Sequence, residues 1–188
     1  MPASRTIYPI VLYGDPVLET PAQDVTEFNA ELRELVEDMF ESMYAAHGVG
    51  LAAPQIGVSK RISVIDCTFQ EKPDQKVVII NPEIIHREGS QTGHEGCLSL
   101  PDFRENVTRA KKVTVRAQDA DGRHFEMSGE DLLARAFQHE IDHLNGKLFI
   151  SHLSALKRDL IKRKIKKLQK NGQWGRTTAD LPPKEESD

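Results

Sequence analysis

Apolar residues recur at helical spacing in three stretches of the chain and follow strand-like patterns between them. Leu32, Leu35, Val36, Met39, Phe40, Met43 and Tyr44 step alternately by three and one, the pattern of a helix with one buried face. Thr26 or Asn29 would cap its start, and Gly48 lies just beyond its expected end. Leu132–Gln138 combines helix-forming residues with apolar positions at helical spacing. Leu153, Leu156, Leu160, Ile161, Ile165 and Leu168 form a third stripe, with cations covering the remainder.

Strand patterns occupy the middle of the chain. Residues 61–67 alternate through Ile62, Val64 and Ile65, and 76–85 contain the more buried run Val77-Val78-Ile79-Ile80. Residues 107–117 and 123–127 flank Asp121-Gly122, a hairpin-turn sequence. Gly14-Asp15-Pro16 and Thr20-Pro21 mark breaks near the start. Two stretches fit neither pattern. Residues 48–57 have too many glycines and alanines for a stable helix or a central strand, and carry one amide side chain, Gln55. Such small residues let a backbone approach a ligand closely. Residues 93–101 set Cys97 among glycines before Pro101, a poor core strand.

Length and charge narrow the class. A chain of 188 residues is most simply one domain, able to bury roughly 70% of its unfolded surface. The net charge of −4 hides a strong asymmetry: residues 154–176 hold nine Lys/Arg against Asp159 alone, while the rest has 16 basic and 28 acidic residues. Two cysteines, Cys67 and Cys97, are too few for a disulfide scaffold and fit a reducing compartment. A free cysteine is usually a small buried hydrophobe, a reading that suits Cys67 better than Cys97. With no signal-peptide pattern and no run of 18 apolar residues, a cytoplasmic protein without a membrane span is expected.

The chemistry centres on His139-Glu140-Ile141-Asp142-His143. Residues four apart share a helix face, so His139 and His143 can direct two imidazoles at one metal ion. Glu140 lies about 100° round the helix from His139 and can face a water at the metal rather than ligate. The pattern is that of metal-assisted hydrolysis with a glutamate general base. A catalytic site needs a third protein ligand and an open position. Phe149 stands where one metalloprotease class has a third histidine, and the acids after His143 fall mostly in a polar tail. The third ligand must come from upstream.

Three stretches together, Gly48-Val49-Gly50-Leu51-Ala52-Ala53-Pro54-Gln55, Glu95-Gly96-Cys97-Leu98-Ser99 and the His139–His143 motif, resemble in order the three motifs of peptide deformylases. The resemblance extends over nearly the whole chain, including Gly14-Asp15-Pro16-Val17-Leu18. It implies removal of the N-formyl group from the initiator formyl-methionine of nascent polypeptides, with release of formate. It also implies that Cys97, His139 and His143 bind one divalent metal, commonly Fe2+ in the family, although Zn2+, Ni2+ and Co2+ suit such ligands. Glu140 would be the general acid/base, and Gln55 and the Leu98 backbone N–H the oxyanion hole. Gly50 would bind the substrate backbone, and Arg104 would stand at the substrate's entry. Val49, Leu132 and Ala136 are expected beside the motifs as an apolar pocket for methionine. Arg135 is unusual there, and its guanidinium is expected to reach water.

The expected architecture is a single α+β domain over residues 1–170: antiparallel strands around the metal-binding helix, plus a C-terminal basic helix from about 153. Residues 171–188, with Pro182-Pro183 and three later acids, read as a flexible polar tail. Glu95 and Asp142 are candidates to orient the ligating imidazoles. The basic helix could anchor the protein to ribosomal RNA, or simply show a solvated face. Two other functions fit parts of the pattern, an RNA- or ribosome-binding module with a structural metal and a protease cutting internal peptide bonds. Glu140 and an open metal position argue against the first, the cramped glycine wall against the second.

Overall fold

The computed structural model describes residues 4–175. Helix α1 (Ala30–Ala45) begins at Asn29, whose side chain accepts from the Leu32 N–H at 3.0 Å. Asn29 rather than Thr26 is therefore the cap. The helix ends before Gly48, and its apolar stripe packs into a core cluster with Leu51, Ile62, Val64 and Ile80.

Five antiparallel strands form the main sheet, in the order β1 (Gly50–Ala52), β2 (Ile62–Ile65), β3 (Val77–Glu88), β6 (Lys112–Gln118) and β7 (His124–Glu130). The glycine-rich stretch supplies the short edge strand β1 and then a 3-10 turn, Ala53–Ile56. Asp121-Gly122 forms the β6–β7 connection. A second, two-stranded sheet pairs β4 (Gln91–Cys97) with β5 (Leu100–Arg109).

Two strand expectations require correction. Residues 107–117 are not one strand, because the chain passes from β5 in one sheet to β6 in the other at Ala110-Lys111. The glycine-rich segment ending at Cys97 is a strand after all. Backbone pairing with β5 needs no side chains, and only Glu95 on β4 is fully buried.

Helix α2 (Asp131–Leu144) runs against β7, β1, β2 and β6, its inner face carrying Ala134, Phe137 and Ile141 into a second core cluster. Its C-terminal end is fixed by Arg61, which donates to the carbonyl oxygens of Leu144 at 3.1 Å and Pro82 at 3.0 Å. Gly146, at φ +74°, turns the chain where a Cβ would meet the backbone of Glu19 and Thr20. Among the described residues no helix is long and apolar enough to cross a membrane.

Helix α3 (Ala155–Lys170) only partly follows its expected stripe. Ile161 and Ile165 are buried with Leu100, Val107, Phe149 and Leu153, whereas Leu156 and Leu160 are 71% and 46% exposed. Leu156 and Ile161 are five residues apart, about 140° round the helix, so one contact surface cannot cover both. Beyond α3 the chain is still packed at Trp174. Its Nε1–H donates to the Tyr13 carbonyl at 3.0 Å, and its ring lies 6.1 Å from that of Phe103. Of the expected tail, residues 171–175 are described and packed through Trp174, and residues 176–188 lie outside the described residues.

Candidate metal centre and active-site cleft

His139 and His143 project from one face of α2, as their spacing predicts, and Cys97 arrives from the end of β4. The β4–β5 register shifts between Gly96 and Cys97, which re-aims the cysteine out of the ladder. His143 Nε2 is 3.3 Å from Cys97 Sγ and 3.1 Å from His139 Nε2, and the three ligating atoms lie within 4.8 Å of one another. A tetrahedral ion with metal–nitrogen bonds of about 2.0–2.1 Å and a metal–sulfur bond of about 2.3 Å needs N···N near ~3.3 Å and S···N near ~3.5 Å. The three side chains fit a divalent ion of that size.

The imidazole orientation follows from Glu95, 5% exposed, which accepts from His139 Nδ1 at 2.6 Å. A carboxylate only accepts, so Nδ1 carries a proton, which leaves Nε2 as the nitrogen facing the ligand cluster. Glu95 itself is held by Arg109 through both oxygens and by Arg135 Nη1 at 2.7 Å. Burial opposes its ionisation, but hydrogen bonds from His139 and Arg109 hold its carboxyl well below the usual range. Of the two carboxylates considered for this role, Glu95 takes it. Asp142 instead accepts from Arg109 at 2.6 Å and His152 at 2.7 Å. Nδ1 of His143 is buried with no hydrogen-bond partner among the described residues.

Burial pushes the Cys97 thiol up, but attraction to His143 and hydrogen bonds with His139 and His143 bring it down to about 5. It is thus poised as a thiolate, the form that binds metal. Cys67, packed against the second core cluster, behaves oppositely: burial and the nearby Asp66 push it up to about 11.

Glu140 is 3% exposed, and its Oε2 has no hydrogen-bond partner among the described residues. Burial raises its carboxyl above the usual range although His139 and His143 oppose this. Its position depends on Gly50, where any Cβ would collide with the carboxylate. Gly50→Ala is therefore expected to displace Glu140 and lower turnover at least about 10²-fold, the lower range for lost acid–base catalysis. Metal analysis with kinetics checks this; near-normal turnover would mean the close approach is dispensable.

A cleft of about 890 Å³ opens over these groups. Val49, Gly50, Gln55, Cys97, Leu98, Arg104, Leu132, Ala136, His139 and Glu140 all line it, and His143 stands behind as the third member of the ligand cluster. Gln55 is fixed by accepting from the Ala52 N–H at 3.0 Å, and its Nε2 points to Cys97 Sγ at 3.5 Å and Ser99 Oγ at 3.2 Å. Arg135 departs in part from expectation: it is only 9% exposed, and its Nη1 donates to Glu95, while Nε and Nη2 keep some contact with solvent.

The sequence reading missed Phe69, 64% exposed on the cleft's rim, and the buried Arg109. Phe69 stands at φ +52° beside Gln70 at φ +70°, a strained turn in which the carboxylate of Asp66 accepts from the N–H groups of Thr68 and Gln70. A polar cluster around an isolated aromatic residue was the available signal. Arg109 had none, since its partners lie 14 and 33 residues away.

The sequence and the fold were compared with known proteins. The family model described as polypeptide deformylase matches residues 7–159. A peptide deformylase of Acidobacterium capsulatum is 70% identical over 168 residues, covering 89% of this chain and 99% of that protein. Another, from Alkalilimnicola ehrlichii, is 49% identical, covering 89% and 93%. The crystal structure of a peptide deformylase from Legionella pneumophila superposes with a TM-score of 0.83 at 47% identity, covering 94% of this chain and 100% of that one. The enzyme from Thermus thermophilus gives a TM-score of 0.80 at 45% identity, covering 89% and 98%. With the family model spanning most of its length and such a relative at 70% identity, the chain belongs to the polypeptide deformylase family.

Proposed function

We propose that the chain hydrolyses the N-formyl group from the initiator formyl-methionine of nascent polypeptides, releasing formate and a free amine. The observation that carries this reading is the convergence of Cys97, His139 and His143 on one point, with the buried carboxylate of Glu140 in the same cleft. Cys97, His139 and His143 would hold a divalent ion there, which would supply Lewis acidity and make water more acidic at neutral pH.

The chain's own groups do the rest. Glu140, its carboxyl raised by burial and Oε2 unpartnered, takes the proton of the attacking water and delivers it to the leaving amine. Gln55 Nε2 and the Leu98 backbone N–H stabilise the oxyanion, and losing one such donor typically costs about 10²–10³ in rate. Gly50 binds the substrate backbone and keeps the site narrow enough for a one-carbon acyl group. Val49, Leu132 and Ala136 receive the methionine side chain, and Arg104 stands at the entry. Fe2+ is the proposed ion, as the family resemblance implies; Cys-His₂ ligation is also open to zinc, nickel and cobalt and does not itself choose. Metal analysis of protein purified without oxygen tests this, and stoichiometric zinc would overturn it.

The decisive assay is formate release from formyl-Met-Ala-Ser, with acetyl-Met-Ala-Ser as control. Cleavage of the formyl peptide alone is expected; cleavage of neither, or of an internal peptide bond, would reject the assignment.

We assign the enzyme to the cytoplasm, where its substrates are made, and propose that α3 holds it near them on ribosomal RNA. The exposed residues Lys162, Arg163, Lys166 and Lys167 lie on a helix whose remaining partners are few. Deleting α3 is a poor test, because Ile161 and Ile165 belong to the core and each truncation to alanine costs roughly 2–5 kcal/mol. Replacing the four cations by glutamine keeps the core. That variant should lose salt-sensitive co-sedimentation with ribosomes while cleaving the short peptide normally. Unchanged sedimentation would make this an ordinary solvated face.

A further inference from the structure

Arg135 stands one turn before His139 on α2 and lines the cleft between Leu132 and Ala136. Only its Nη1 is engaged, donating to Glu95 Oε2 at 2.7 Å and to the Val107 carbonyl at 3.1 Å. Glu95 has no capacity left for it. Its two oxygens already accept from His139, from Arg109 twice and from Arg135 once, filling the roughly four lone-pair sites of a carboxylate. Nε and Nη2 of Arg135 make no hydrogen bond among the described residues, and neither is sealed from solvent. Gly93 borders the head group, and a Cβ there would stand 3.4 Å from Nη2, in ordinary contact. A nearly buried guanidinium in the wall of a substrate cleft therefore has donors to spare.

An apolar wall would serve a thioether equally well, since methionine sulfur is only a weak acceptor. Spare N–H donors matter for a side chain of the same length that ends in a strong acceptor. Methionine sulfoxide is methionine with one added oxygen, polar and hydrogen-bonding, on an unchanged stem. In an unrelieved apolar pocket its oxygen would be desolvated without a partner, with a loss of about ten- to hundredfold in kcat/KM. We propose that Arg135 gives the cleft a second substrate class: formyl peptides beginning with methionine sulfoxide, whose S=O oxygen accepts from the free edge of the guanidinium. Chains whose first residue has been oxidised then remain substrates. The inference rests on the deformylase reading and deepens it.

The test compares formyl-methionine sulfoxide-Ala-Ser with formyl-norleucine-Ala-Ser, which has the stem but no acceptor. Wild-type protein should cleave the sulfoxide peptide with at least a tenth of the norleucine kcat/KM. Arg135→Leu should lower that ratio at least tenfold, each rate being normalised to bound metal. In metal-free wild-type protein, the Arg135 Nε–H resonance should shift on adding methionine sulfoxide-Ala-Ser and not with norleucine-Ala-Ser. A wild-type ratio below a tenth, an unmoved resonance, or a ratio that Arg135→Leu leaves unchanged would overturn the proposal. Should Arg135→Leu fail to fold, the two wild-type measurements decide. Failure to cleave the norleucine peptide at all would instead bring down the deformylase reading.

Discussion

Replacing Glu140 by alanine is expected to leave metal content unchanged while lowering turnover of formyl-Met-Ala-Ser by about 10²–10⁴-fold, the usual contribution of a positioned acid–base group. The side chains grouped so that they could hold an ion are Cys97, His139 and His143, and Glu140 is outside that cluster. Stability should move the other way from activity. The carboxylate is buried, its Oε2 is unpartnered, and it is pressed against Gly50. Removing a buried, incompletely satisfied charge relieves its desolvation, so Tm is expected to hold or rise. Kinetics, metal analysis and thermal unfolding of one preparation test all three statements. Loss of metal, or near-normal turnover, would mean that the glutamate ligates or is a bystander.

Cys97→Ala should abolish high-affinity metal binding and, with it, activity, whereas Cys67→Ala should preserve both. The two thiols differ by their surroundings. Cys97 lies 3.3 Å from the His143 imidazole and is brought down to about 5, while Cys67 is pushed up to about 11 among apolar neighbours. Removing Cys97 leaves two histidines, one fewer than the three protein ligands of an ordinary catalytic site. The Cys67 change removes a half-buried sulfur and little else. Equal metal content in wild type and Cys97→Ala would sink the ligand assignment.

What could be read from the sequence is what is local. The α1 stripe is a spacing rule, and the helix buries the residues that rule selects. His139 and His143 are related by one helical turn, so their convergence needs no knowledge of the rest of the fold. Cys97 is different. It lies 46 residues from His143, and only its place in a recognised set of motifs pointed to it. The carboxylate that orients His139 was narrowed to two candidates but not assigned, because Glu95 and Asp142 differ only in which arginines and histidines surround them.

The errors share a cause. Strand patterning joined residues 107–117 because both halves alternate, while the change of sheet at Ala110 is decided by partners elsewhere in the chain. The α3 stripe gathered every apolar residue into one face, yet only the arc through Ile161 and Ile165 finds a surface to pack on. Arg135 was expected to reach water because a lone cation in an apolar pocket would, and nothing in the sequence announced that Glu95 would be its neighbour 40 residues away. Each case required long-range pairing that periodicity does not encode.

The docking of Trp174 on Tyr13 gives the molecule a built-in optical reporter. Trp174 is the chain's single tryptophan, half-buried beyond the end of α3, with its N–H engaged by a carbonyl from the opposite end of the described chain. Its emission therefore reports the release of the C-terminal segment from Tyr13 and from Phe103 on β5. That signal can be followed separately from the circular dichroism of the whole fold, so the order in which the two ends part and the core melts is open to direct observation.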